Sequence, residues 1–220
     1  MNERPWLKNY DPEVLHHLEY PAITVPDLFE MTTFQFPEKT CAIYDGIRIS
    51  YQEMQDWIDR LAHKLVTLGL KKGDRAGLLM PNMPQFILSY FAILKAGAIV
   101  VAINPLYKEQ EIIRQVNDAG IKIMIAISSL YPVVKALQPA TKIQTLIITN
   151  TKEGFLSKTR MAGSELILAP GDFWLGALVQ TEPDNSQSLP EVTPGDDALF
   201  QYSGGTTGIS KAAIATHKNL

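Results

Sequence analysis

From Met54 to Leu68 the apolar residues Met54, Trp57, Ile58, Leu61, Ala62, Leu65 and Leu68 recur at intervals of three and four, which puts them on one face of a helix. Ser50 and Glu53 stand ahead of that run at capping-box spacing, where each side chain can satisfy a backbone N–H at the helix start, and Gly69 supplies a left-handed stop. Downstream the period changes repeatedly. The runs "RAGLLM" (75–80), "AIVVAIN" (98–104), "IKIMIAI" (121–127) and "IQTLIIT" (143–149) are short, apolar and mostly rich in β-branched residues, as buried strands are. Between them, residues 84–96, 109–118 with Gly120 behind, and 129–137 read as helices. Helices between such runs imply βαβ crossovers, hence an α/β fold with a mainly parallel β-sheet flanked by helices on both faces.

Ahead of this alternation, residues 26–34 read as a short helix and "CAIYDGIRIS" (41–50) as a hairpin turning at Asp45-Gly46. After Asn150 the rhythm weakens: Gly154, Gly163, Pro170, Gly171, Pro183, Pro190, Pro194 and Gly195 punctuate a polar stretch, leaving one helix over residues 172–179 capped by Asp172. Regularity returns at "ALFQY" (198–202), and "KAAIAT" (211–216) reads as a strand. The layout expected is an N-terminal extension (1–24), an α/β subdomain (25–149), an irregular excursion (150–197), and a strand and loop (198–220) that begin a truncated second subdomain.

Composition narrows the function. With 46% hydrophobic and 20% charged residues the chain can bury a sizeable core. A formal charge of -3 provides no basic stripe for a nucleic-acid backbone, so nucleic acid is not the expected partner. Cys41 is the single cysteine; it excludes an internal disulfide, has no metal spacing with the histidines, and reads as a small buried residue of a reducing compartment. The adjacent His16 and His17 would point in different directions on a helix and read as surface residues. The N-terminus lacks the basic-then-apolar order of a secretory signal. The apolar stretch 86–103 approaches membrane-spanning length, but Lys95 near its middle, Gly97 and the β-branched "AIVVAIN" divide it into a buried helix and a buried strand.

The candidate chemistry lies in "FQYSGGTTGISKAAIATHKNL" (200–220). Glycines permit close approach of backbone to a ligand, and successive exposed N–H groups form a concave anion site. Ser203, Thr206 and Thr207 add hydroxyl donors, and Lys211 a mobile positive charge. The same cluster also reads as a flexible hairpin turn. It is not a Walker A loop, because Gly204 and Gly208 enclose three residues and Lys211 comes late, and it contains no dinucleotide G-x-G-x-x-G. With a strand following, the loop would work as a hairpin clamp without a helix dipole.

The string from Tyr202 to Leu220 resembles the phosphate-loop signature of the adenylate-forming (AMP-binding) superfamily, and most of all that of bacterial long-chain fatty-acid CoA ligases, which often carry a glycine where Gly205 stands and a small residue where Ser210 stands. The segment from "ISYQEMQ" to "AINPLY" (49–107) is similar to the same family's N-terminal region, and the likeness runs from about Val25 onward. The resemblance implies attack of a carboxylate on the α-phosphate of Mg·ATP, giving an acyl-adenylate and pyrophosphate, then displacement of AMP by the thiol of coenzyme A. It places Ser203, Gly204, Gly205, Thr206, Thr207 and Gly208 around the ATP phosphates with Lys211 close by. ATP, Mg²⁺ and coenzyme A are then co-substrates of the parent enzyme, a fatty acid or other carboxylate its substrate, and the rest of the same protein its partner. Ala212 departs from the family's glycine after the lysine, which bears on loop mobility. His217 reads as structural, although a general base is the alternative. Asn219 reads as a helix cap with only Leu220 behind it, so the chain looks like an N-terminal piece, inactive alone, with the catalytic residues expected downstream of Leu220. The resemblance also implies a cytoplasmic enzyme, with peripheral contact at the inner membrane face left open by a lipid substrate. A stand-alone nucleotide-binding module and a non-enzymatic interaction module are the other readings.

Overall fold

Each apolar run finds a neighbour in a computed structural model of the chain, which describes residues 4–18, 20–151, 166–182, 187–203 and 211–220. Helix α1 (Val25–Gln35) opens with a capping box in which the Asp27 N–H donates to Thr24 Oγ1 (3.3 Å) and the Thr24 N–H to Asp27 Oδ2 (2.9 Å). Strands β1 (Thr40–Tyr44) and β2 (Ile47–Ser50) form the expected antiparallel hairpin. Asp45 and Gly46 take φ +48° and +77°, the pair of positive values a two-residue I′ turn requires. Helix α2 (Tyr51–Thr67) follows at once, with the Ser50–Glu53 capping box formed in both directions. Of its apolar face Met54, Ile58, Leu61, Ala62 and Leu65 are buried, while Trp57 and Leu68 are half-buried.

The remaining elements are β3 (Arg75–Leu79), α3 (Pro84–Lys95), β4 (Ile99–Ala102), α4 (Glu109–Ala119), β5 (Ile123–Ile127), α5 (Tyr131–Leu137), β6 (Thr145–Thr149), β7 (Phe173–Trp174), α6 (Leu175–Gln180), β8 (Asp197–Ser203) and β9 (Lys211–Thr216). Strands β3 to β9 make a seven-stranded sheet in the order β7-β6-β5-β3-β4-β8-β9, parallel throughout except that β9 runs antiparallel to β8. The expected α/β fold and mainly parallel sheet are thus present.

Period-two alternation sorts the strand residues onto two cores. Ala76, Leu78, Val100, Ile123, Ile125 and Ile147 join buried residues of α2, α3 and α6 on one face. Leu79, Val101, Met124, Ala126, Leu146 and Ile148 join those of α4 and α5 on the other. The stretch 86–103 divides as its sequence suggests, into most of α3 and then β4. Among the described residues no helix is long and apolar enough to cross a membrane. Lys95 ends α3 paired with Glu30 of α1 and Asp59 of α2. Burial would lower its pKa, but the bonds to Asp59 and Glu30 outweigh that and carry it above its ordinary value.

Three local expectations need correction. Asp172 does not cap a helix: α6 starts at Leu175 with no side-chain cap, because the Asp172 carboxylate is taken by the Tyr131 hydroxyl (2.7 Å) and by Lys135 Nζ (2.8 Å). The two residues behind it pair with β6 as a short parallel strand instead. Asn219 is likewise no helix cap; Thr216 is the cap of a single 3-10 turn, and Asn219 accepts the Thr216 N–H (3.1 Å) and hydroxyl (2.9 Å) from its third position. Cys41 is half-buried, and that burial pushes its thiol pKa up. His16 and His17 are exposed, as expected.

Candidate functional site

Six strands point their carboxyl ends to one edge of the sheet, and β8 delivers Ser203 to that edge beside the end of β4, with Val100 opposite Leu199 and Val101 opposite Phe200. Open α/β sheets present ligand sites along this edge, where loops leave the strands. Ser203 is the last residue of β8 and Lys211 the first of β9, and the two are cross-strand partners. The hydroxyl-bearing residue and the cation chosen from the sequence are therefore brought together at the mouth of one hairpin. Both are exposed, and Lys211 forms no ion pair among the described residues. Gly204, Gly205, Thr206, Thr207 and Gly208 lie outside the described residues.

Two buried side chains hold the hairpin from opposite ends. Tyr202, only 9% exposed, packs into the cluster of β4 and α4, and its hydroxyl donates to Asp118 Oδ2 at 2.5 Å. Burial, and then the adjacent carboxylate, push the Tyr202 phenol well above its ordinary pKa, so it stays protonated and donating. Neither residue was singled out from the sequence. At the far end His217 is 4% exposed, and its Nδ1 accepts the backbone N–H of Val25 at 3.3 Å. A ring nitrogen engaged in this way gives His217 a structural part at the start of α1. Burial lowers its pKa, against the pull of Asp196 and Asp27 and with the help of Lys72.

The approach to β8 is tied down as well. Lys72 Nζ donates to the Glu191 carbonyl (2.9 Å) and pairs with Asp196 (2.7 Å), whose pKa is lowered by Lys72 first and by the Thr193 N–H second. Asp196 in turn accepts the His217 N–H through its carbonyl (3.1 Å). The segment before β8, the end of β9 and the turn before β3 thus share one polar junction. What the arrangement offers chemically is an edge-mounted hairpin, fixed at its base, that presents a cation and a hydroxyl at its mouth.

The chain is also similar to known proteins. The family described as AMP-binding enzyme matches residues 29–220. A long-chain-fatty-acid–CoA ligase of Bacillus subtilis (strain 168) is 29% identical over 100% of this chain and 41% of its own length. One from Salmonella typhimurium is 31% identical over 99% of this chain and 41% of its own. Among solved structures, a long-chain-fatty-acid–CoA ligase from Archaeoglobus fulgidus superposes with a TM-score of 0.74 at 25% identity, covering 91% of this chain and 38% of that one. The chain therefore spans about two-fifths of the length of the curated relatives it matches.

Proposed function

The chain belongs to the AMP-binding enzyme family, and from that premise we propose that it is the N-terminal portion of an ATP-dependent, AMP-forming long-chain fatty acid–CoA ligase. The observation that carries the reading is the pairing of Ser203 with Lys211 at the carboxyl edge of the sheet, at the two ends of a segment rich in glycine and threonine. In this reading Ser203, Gly204, Gly205, Thr206, Thr207 and Gly208 wrap the ATP phosphates, and Lys211 balances their charge. Magnesium enters as part of the Mg·ATP substrate. The carboxylate of the fatty acid attacks the α-phosphate, pyrophosphate leaves, and the thiol of coenzyme A then displaces AMP from the acyl-adenylate.

Such transfers ask for positioned donors and cations more than for a protein nucleophile, which suits a clamp of this composition. "Long-chain" rests on the names of the relatives and on the spelling of the loop. Residues 198–220 begin a second subdomain on this reading, and the residues that bind the acid, the adenine and coenzyme A lie further along the same protein. A cytoplasmic location with contact at the inner membrane face, where a long-chain acid partitions, goes with it.

The deciding assay is carboxylate-dependent pyrophosphate release by the protein carried through its whole reading frame. Release that follows palmitate or oleate, and falls at least tenfold in Lys211→Ala, is the expected result. Pyrophosphate release independent of any carboxylate would overturn the reaction class. The 220-residue chain with palmitate, Mg·ATP and coenzyme A is expected to form no acyl-CoA, and turnover there would overturn the division of the machinery.

A further inference from the structure

We propose that Tyr202 is a positioning residue for the phosphate hairpin: by donating its hydroxyl to Asp118 it fixes the register and the face on which Ser203 and Lys211 are presented. The inference rests on the nucleotide reading above and adds a residue that neither the loop spelling nor the family match assigns.

Side chains alternate along a strand, so Tyr202 turned toward α4 commits Ser203 to the opposite face. Across the hairpin Ala212 stands opposite Tyr202 and Lys211 opposite Ser203, so the lysine shares the serine's face. A slip of one residue would reverse both. Three of the six residues of β9 are alanine, so that strand offers few large side chains to resist such a slip. Ala212 packs against the same buried cluster as Tyr202, which carries the fixed phase of β8 over to β9. Asp118, for its part, gives α4 no help as a helix residue. It stands in the last turn, at the negative end of the helix dipole, where no basic residue compensates it. Its carboxylate instead accepts the 2.5 Å bond from the phenol. Burial keeps that phenol protonated, so the tie persists across the working pH range.

The test measures the Mg·ATP dissociation constant and amide hydrogen exchange over residues 199–216 in the protein carried through its whole reading frame. Tyr202→Phe keeps the ring and its packing and loses only the donor; Asp118→Ala loses the acceptor. Each is expected to weaken Mg·ATP binding about three- to tenfold and to speed exchange at the hairpin mouth. The double variant should be no weaker than either single one, and Asp118→Asn, which still accepts from the hydroxyl, should recover most of the affinity. If Tyr202→Phe binds and exchanges like the parent while Lys211→Ala loses affinity, the positioning role is wrong and the nucleotide reading stands. If Lys211→Ala also leaves the affinity unchanged, or the parent binds no Mg·ATP, the nucleotide reading has failed and this inference falls with it.

Discussion

A neutral imidazole at position 217 accepts the Val25 N–H, and its protonation would put a hydrogen where that acceptor stands. Burial depresses the folded pKa below the ordinary 6.5, so the folded state binds this proton more weakly than the unfolded chain does. The contribution is therefore fully present above the unfolded value and is lost as pH falls from about 6.5 through the lower folded one. Urea midpoints taken between pH 7.5 and 5 should fall for the parent chain, and His217→Gln should show a shallower slope over the same interval. Gly97 makes a second prediction at this scale. Its φ is +72°, and an added Cβ would come within 2.9 Å of Pro190 Cγ, where the excursion crosses the α3–β4 turn. Gly97→Ala should cost roughly 1–2 kcal/mol in denaturant unfolding, mostly from the left-handed backbone.

Elements whose signals are local were legible in the sequence. Ser50 and Glu53 sit three residues apart and bond each other's backbone, so spacing alone revealed the start of α2. Ser50→Ala should lower stability by about 1 kcal/mol without altering the sheet, as judged by thermal unfolding and far-UV circular dichroism. Where a distant residue competed, the local signal misled. Asp172 has the chemistry of a cap, yet Tyr131, 41 positions earlier, and Lys135 claim its carboxylate. The two residues of β7 are too few to show a period, and only their pairing with β6 makes them a strand. The candidate site divides in the same way. Ser203 and Lys211 stand out in a short motif, whereas the Tyr202–Asp118 bond joins positions 84 apart and leaves no pattern in either neighbourhood. Asn219 accepts bonds that the sequence suggested it would use to begin a helix, because Thr216 stands three residues before it in a better place to do so.

Across the whole molecule, one sheet separates the two buried clusters and both draw on the same strands, with Ile125 facing one and Met124 the other. Melting of either face removes packing from strands that the other needs, so the described fold should unfold as a unit. Ile125→Ala and Leu146→Ala, on opposite faces, should each cost about 2–5 kcal/mol and still give coincident transitions by tryptophan fluorescence and far-UV circular dichroism. Separate transitions would mean that the faces are independent. The bond between Val25 and His217 spans 192 positions, and this has a consequence for biosynthesis. Translation delivers α1 early, while the acceptor for its first amide arrives almost two hundred codons later. Until then the nascent chain carries a helix held at its start by its own Thr24–Asp27 capping box, with the Val25 amide still lacking its partner. That corner therefore closes only after β9 has been made, long after the helix it locks has left the ribosome.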